Sequence, residues 1–241
     1  MTVLHLADEG EAADLAAFLS RLLHYDRSAA VRLQAAGTAL AVFGRPPSFE
    51  VLAVRTVRLA KPYEHGLDAT LDVTVSAGEL LESVDERSAT ARVAGAVTGP
   101  PWAGVLPPRG GWRAEPGLPA PDALRALVAA AVAEFRARTE ELAAEDRTRA
   151  ALDGIGRDIW SRTVGDTGLP VRAVHAAQSL GFLRPRGASG PEAGIATGSG
   201  SGSGEDAPRL FSSGAWLRLR TPFGSVALRR AGTGALGISV R

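Results

Sequence analysis

Cysteine and asparagine are both missing from this 241-residue chain, and lysine occurs only once. Without cysteine, the chain has no disulfide, catalytic thiol, zinc–thiolate site or iron–sulfur cluster. Without asparagine, it has no acceptor for N-glycosylation. The single lysine, Lys61, stands against 26 arginines, a usage typical of a high-GC genome. Many of these arginines are therefore expected to take ordinary surface positions, where other proteins use lysine.

Long apolar runs are also absent. No segment approaches the ~18 consecutive apolar residues that a membrane-spanning helix needs. Residues 1–9 become acidic after a few apolar side chains and have neither the basic start nor the apolar run of a signal peptide. Apolar residues nevertheless make up 45% of the chain, enough for a well-buried core. We therefore expect a cytoplasmic protein with no membrane partner.

Charge is divided unevenly along the chain. Residues 1–146 carry 14 basic and 20 acidic side chains, a net charge of −6, whereas residues 147–241 carry 13 basic and 6 acidic, a net charge of +7. Such asymmetry indicates an anionic partner for the basic part. The alternative is that the two parts attract each other within the chain.

Residues 1–97 predict an α+β domain, an antiparallel sheet with helices on one face. Leu15, Phe18, Leu19 and Leu22 form one apolar stripe of a helix over residues 11–25. Alternating apolar segments then predict strands at 31–35, 39–43, 51–59 and 69–75. Ser76 and Glu79 form a capping box before a short helix, and residues 90–93 are predicted to close the sheet.

Residues 98–120 form a proline- and tryptophan-rich connection. Its proline pairs prevent a helix and favour a stiff, extended chain. Trp102, Arg109 and Trp112 are residue types that are enriched at binding hot spots, so this segment is a candidate partner-binding site. The alternative is a loop folded over the sheet, with both tryptophans filling the core.

The remaining chain divides into three parts. Residues 121–186 predict a helical segment with helices over 121–142, 147–163 and 170–180. Residues 187–208 predict a flexible linker with a Gly–Ser tract at its centre. Residues 209–241 predict a C-terminal β-hairpin that packs on the rest of the protein, because a lone hairpin is barely stable.

Residues 167–183, TGLPVRAVHAAQSLGFL, resemble the turn and recognition helix of helix-turn-helix regulators of the IclR type. The resemblance implies that Arg172 and His175 face the DNA. The alternative is an ordinary helix that ends in a well-formed C-cap. On the predicted hairpin, Arg218, Arg220 and Arg230 are expected to share one face, where phosphate, an acidic partner or the acidic part of the chain itself would balance their charge.

No catalytic, cofactor or metal site is predicted. The G-x-G-x-x-G match at residues 232–237 has no helix after it and is expected to form a turn. No histidine pair has metal-ligand spacing. His24 near Asp26, and His65 near Glu64 and Asp68, place an imidazole near carboxylates.

The segments GPPWAGVLPPRGGW and IWSR…GLPVRAVHAAQSLGFL give the chain a similarity to conserved uncharacterised proteins of high-GC Gram-positive bacteria, a similarity that implies no activity. Three hypotheses result. The first is a non-catalytic interaction or regulatory protein that binds a protein partner or itself. The second is a DNA-binding regulator, and the third is an enzyme with a site near His24 and His65.

Overall fold

A computed structural model describes residues 2–61, 64, 71–185 and 207–230 of the chain. It shows an α+β fold built on antiparallel sheets. The strands are β1 (Val3–His5), β2 (Ala30–Ala36), β3 (Ala39–Gly44), β4 (Leu52–Arg58), β5 (Asp72–Ser76), β6 (Thr90–Arg92), β7 (Arg113–Glu115), β8 (Arg209–Ser213), β9 (Trp216–Thr221) and β10 (Gly224–Arg229). The helices are α1 (Glu9–Tyr25), α2 (Ala77–Glu82), α3 (Pro121–Glu140), α4 (Arg149–Trp160) and α5 (Val171–Ser179).

Local chemistry explains where the helices begin. The Asp8 carboxylate accepts a hydrogen bond from the Glu11 backbone N–H at 2.8 Å and caps α1. Ser76 caps α2 and Thr148 caps α4 in the same way, while Pro121 occupies the first position of α3. The apolar stripe of α1 is buried, so the helix is fixed to the core along the face that the sequence predicts.

The main sheet has eight strands in the order β5-β2-β3-β4-β10-β9-β8-β7. It consists of two half-sheets. Each contains a three-strand meander, β2-β3-β4 or β8-β9-β10, with one further strand beside the first strand of the meander. The last strands of the two meanders, β4 and β10, pair antiparallel in the middle, with Ser225 opposite Val54 and Ala227 opposite Leu52. The two meanders, which lie about 170 residues apart in the chain, therefore meet at the centre of one continuous sheet.

Helices cover one face of this sheet, called here the inner face. Helix α1 packs against β4, and α5 packs against β10. Their buried side chains join the inner faces of both half-sheets in one core. Strand β6 was predicted to close the main sheet, but it pairs with β1 in a separate two-stranded sheet. This prediction was wrong because β1, too short to be recognised in the sequence, provides the partner.

A buried arginine connects the two half-sheets under the helices. Arg55 of β4 is 8% exposed in its side chain and binds Glu11 at 3.0 Å and Asp14 at 3.1 Å, both on α1. Its guanidinium also donates to the backbone carbonyl of Phe223, in the turn between β9 and β10, at 2.7 Å. Arg184 binds the other oxygen of Asp14 and lies over the Phe223 ring. The charged network therefore spans both halves of the chain.

The acidic and basic parts of the chain attract each other at several such points. Four arginines of the basic part form ion pairs with carboxylates of the acidic part: Arg162 with Glu134, Arg172 with Glu50, Arg184 with Asp14, and Arg230 with Glu115. Much of the charge separation seen in the sequence is thus neutralised within the protein.

Two sequence predictions lie outside the described residues: most of the linker at 187–208 and the glycine turn at 232–237. Within the described ranges, none of the helices has both the length and the apolar character to cross a lipid bilayer.

Candidate binding surface

The proline- and tryptophan-rich segment crosses the outer face of the main sheet, opposite the helices. We call residues 97–112 the strap. At one end, the Val97 N–H donates to the carbonyl of Thr74 on edge strand β5 at 2.9 Å. Towards the other end, the Ser213 hydroxyl of β8 donates to the carbonyl of Gly110 at 3.2 Å. The strap then continues into β7, which pairs with β8 at the opposite edge of the sheet.

Trp102 fixes the middle of the strap. Its half-buried ring packs, together with Leu106 and Trp216, on an apolar cluster of Phe43, Leu52 and Val54. These three side chains lie on the outer face of β3 and β4. Arg32 of β2 donates hydrogen bonds to the Ala103 carbonyl and to Asp72. Trp102 therefore has the structural role that the sequence left as an alternative, a plug over the sheet.

Four arginines and two tryptophans, one of them the last residue of the strap, lie on the outer face of the C-terminal half-sheet. They form the arginine–tryptophan patch, defined as Arg209, Arg218, Arg220, Arg229, Trp112 and Trp216. The strand register places Val54, Ser225, Arg220 and Arg209 in one row across β4, β10, β9 and β8. Because Val54 faces outward, the two arginines of this row do as well.

The patch has no acidic counter-charge of its own. Strands β8, β9 and β10 contain no aspartate or glutamate. Among the described residues, none of the four arginines forms an ion pair with a carboxylate. Arg209 and Arg220 stand directly opposite each other on neighbouring strands, an arrangement of like charges that destabilises a sheet. Within the part of the chain that the structure describes, no carboxylate therefore balances the charge of this surface.

The two tryptophan rings hold two of the guanidinium groups. Arg218 lies over the Trp112 ring, 5.7 Å from its centroid, and Arg229 lies over the Trp216 ring at 5.8 Å. Arg218 also donates from Nε to the Ser225 hydroxyl at 2.9 Å. Burial, and secondarily the charge of Arg220, lower the pKa of Arg218. The side chain stays charged at neutral pH, because an arginine pKa starts so high.

Arg109 lies on the exposed part of the strap. Its charge contributes to a lowered pKa of Asp72, although the main cause is the hydrogen bond that Asp72 accepts from Arg32. Trp112 donates from its indole N–H to the Pro108 carbonyl at 3.0 Å, which holds the turn of the strap in place. Of the three predicted hot-spot residues, Trp112 is thus the one that reaches the patch.

Arg230 does not share the face of Arg218 and Arg220, so this expectation was wrong. Residue 229 pairs with Trp216 on the outer face, and side chains alternate along a strand. Arg229 therefore takes the outer position that the sequence analysis gave to Arg230. The Arg230 side chain binds Glu115 at 3.0 Å. The pKa of Glu115 is lowered, first by a hydrogen bond from Ser212 and then by Arg230.

Arg172 and His175 lie among the helices, on the opposite side of the main sheet from the patch. Five of the nine residues of α5 are buried, and Arg172 pairs with Glu50 at 3.5 Å. The His175 ring stacks on Trp160 with centroids 4.6 Å apart and meets the edge of Phe49 at 5.1 Å. Burial lowers the pKa of His175. Arg172 and His175, the two residues of α5 that the resemblance places at the DNA, therefore both contact other parts of the protein.

The histidines near carboxylates do not form a recognisable catalytic group within the described residues. The His24 ring meets the edge of Tyr25, and the Asp26 carboxylate accepts hydrogen bonds from the backbone and side chain of Ser28. His65 and Asp68 lie outside the described residues. In the part of the chain that the structure describes, no group of three histidine, aspartate or glutamate side chains has the arrangement of a metal site.

Sequence reasoning missed half of the patch. Arg209, Trp216 and Arg229 were not identified, because β8 was not recognised and the register of β10 was read one residue out. The available signal was the composition of the C-terminal part, in which arginines alternate with apolar residues without any acidic residue between positions 209 and 230.

Comparison with known proteins gives two family matches and no function. Residues 1–104 match the family described as Domain of unknown function (DUF8010). Residues 107–233 match the family described as Domain of unknown function (DUF8185). No curated protein and no solved structure matches the chain. The boundary between the two matches falls within the strap, so each match supplies one half-sheet. Since the second match covers more than half of the chain, the protein belongs to the DUF8185 family.

Proposed function

We propose that this is a non-catalytic interaction or regulatory protein that binds an anionic partner through the arginine–tryptophan patch. The single observation that carries the proposal is the contrast among the arginines of the basic part. Four of them pair with carboxylates of the acidic part, whereas the four in the patch have no carboxylate partner among the described residues. A partner that supplied negative charge would relieve the repulsion between them.

The shape of the patch supports the same function. It lies on a sheet face that the strap only partly covers, and its aromatic and arginine side chains are the types enriched at binding hot spots. Arg209, Arg220 and Arg229 are exposed, while Trp112, Trp216 and Arg218 are half-buried. A partner could therefore contact the charged groups while the tryptophans remain anchored.

The first test is binding of labelled polyanions, followed by fluorescence anisotropy at low and at physiological salt. We expect at least one of two probes, a glutamate-rich peptide or an oligonucleotide, to bind with an affinity that falls as salt rises. The double variant Arg209→Gln/Arg220→Gln should weaken that binding about tenfold or more, since charge-assisted contacts are among the stronger hydrogen bonds.

Arg149→Gln/Arg157→Gln is the matched control. It removes the same charge from exposed positions on α4, at a distance from the outer face, and should leave binding within about twofold. The proposal fails if neither probe binds at low salt, or if both double variants weaken binding equally, because the effect would then come from net charge alone.

A DNA-binding regulator is the second candidate function. Arg218 and Arg220, which have no carboxylate partner among the described residues, favour a nucleic acid partner for the hairpin. The contacts that Arg172 and His175 make within the protein give the α5 helix no such support. Arg172→Ala measured against duplex DNA decides the role of that helix. Weaker binding would place α5 at the interface, and unchanged binding would exclude it.

A further inference from the structure

We infer that the patch binds single-stranded nucleic acid, in preference to duplex DNA or an acidic polypeptide. This inference rests on the proposed function, because it names the partner of the same surface. Three observations carry it: the alternation of aromatic rings with guanidinium groups, the breadth of the sheet face, and the burial of the helix that resembles a recognition helix.

Rings and charges are interleaved across three neighbouring strands. The outer row formed by Ser213, Trp216 and Arg229 is followed by the row containing Phe211 and Arg218, and then by Arg209 and Arg220. Successive rows on one face of a sheet are about 7 Å apart. Unpaired bases stack on aromatic rings and on arginine planes, while their phosphates need cations nearby. A chain of carboxylates would use the charges of the patch but not its rings.

The geometry disfavours a DNA duplex. The major groove is roughly 12 Å wide and admits a helix or a two-stranded ribbon. The patch lies instead on β8, β9 and β10, which are flanked by β7 on one side and β4 on the other. Eight strands at about 4.8 Å spacing make a face about 34 Å broad, too wide to enter the groove. Helix α5 cannot readily enter the major groove instead of the sheet, because five of its nine residues are buried.

The strap fixes one ring at the edge of this platform. Trp112 is held by its hydrogen bond to Pro108 and by Arg218 against its face. Because the Trp112 side chain is already fixed before a ligand binds, binding costs little conformational entropy at this residue. Trp112 is therefore the residue on which we expect a base to stack.

The experiment compares three labelled probes on the full chain by anisotropy: an oligo-thymidylate of about 15 nucleotides, a duplex of similar length and an oligo-glutamate peptide. We expect the single strand to bind at least tenfold more tightly than either of the others, and to quench tryptophan fluorescence. The slope of log affinity against log salt should change by about 1.4 in Arg209→Gln/Arg220→Gln, near 0.7 for each lost phosphate contact.

Variants at Trp112 distinguish the contribution of stacking to the affinity from that of charge. Trp112→Ala should weaken binding of the single strand roughly tenfold without changing the salt slope, whereas Trp112→Phe should retain most of the affinity. Thermal unfolding of each variant shows whether the fold is intact. Equal loss of affinity in both variants, with intact folding, would overturn the assignment of stacking to this ring.

The other outcomes distinguish the inference from the function on which it rests. If the glutamate peptide binds as tightly as the single strand and depends on the same arginines, the inference is wrong and the proposed function stands. If the duplex binds best, the single-strand assignment is wrong. If no probe binds at low salt, both are wrong.

Discussion

The two half-sheets have closely similar strand arrangements but very different outer faces. In the N-terminal half-sheet, Phe43, Leu52 and Val54 are covered by the strap, and the outer arginine, Arg32, is paired with Asp72 at 2.7 Å. In the C-terminal half-sheet, the equivalent face presents arginines that have no carboxylate partner among the residues the structure describes. The strap thus covers the apolar cluster on the outer face of one half-sheet, whereas Arg209, Arg220 and Arg229 on the outer face of the other are exposed. This difference supports the proposed function, in which the N-terminal half-sheet is structural and the C-terminal half-sheet binds the partner.

The largest expected effect comes from breaking the connection between the halves. Arg55→Ala leaves Glu11 and Asp14 without their buried partner and should lower the free energy of unfolding by about 3 kcal/mol. Urea unfolding followed by circular dichroism measures the loss. Arg58 also binds Glu11, but its side chain is 68% exposed. Arg58→Ala should therefore have a much smaller effect, and equal losses would contradict a special role for the buried connection.

The second test separates the two tryptophans of the strap. Trp102→Ala uncovers the apolar cluster of the N-terminal half-sheet and should cost about 2 kcal/mol of stability, less than a fully buried tryptophan would. Trp112→Ala should cost less stability, because its ring lies against Arg218 and does not pack on the apolar cluster. Chemical denaturation of both variants checks this order. If Trp112→Ala cost more stability than Trp102→Ala, the prediction that Trp102 has the structural role would be wrong.

The third test is the pH dependence of the inner face. Burial lowers the pKa of His175 in the folded state, so the unfolded chain takes up the proton first. Stability should therefore fall as the pH decreases below about 6.5, the ordinary pKa of histidine. His175→Gln should remove this part of the pH dependence in thermal unfolding between neutral and mildly acidic pH. The prediction fails if the His175→Gln variant keeps the same dependence of stability on pH as the unchanged protein.

The smallest expected effect has the opposite sign. Arg209→Gln removes one of two like charges that face each other across β8 and β9, and should stabilise the protein by about 0.3 kcal/mol at low ionic strength. The gain should shrink as salt screens the repulsion. A loss of stability at every salt concentration would show that Arg209 has a structural partner and would weaken its assignment to binding.

Local patterns predict much of this fold. Apolar periodicity and capping residues give α1, α3, α4 and α5 nearly to their observed ends, and alternation gives the meander β2-β3-β4. These features depend on neighbouring residues, so the sequence displays them directly. The short strands β1 and β7 escape prediction, because three residues carry too little pattern.

The pairing of strands that are distant in the sequence could not be predicted. The contact between β4 and β10 joins residues about 170 positions apart, and no local signal specifies it. The patch depends on that pairing, since only the register decides which arginine faces outward. A shift of one residue exchanges the two faces of a strand, which is why Arg230 was predicted in the position that Arg229 occupies. Trp112 and Arg218 could be named from the sequence, but not their proximity.

The pairing of β4 with β10 has a consequence for a chain cut within the strap. Each fragment would keep its own meander but would expose one strand edge, β4 in the N-terminal fragment and β10 in the C-terminal fragment. Exposed strand edges readily pair with other strands. The two fragments complement each other, because the missing neighbour of each edge is carried by the other fragment. Co-expressed as separate polypeptides, they should reassemble into one sheet, whereas either fragment alone should aggregate or pair with itself.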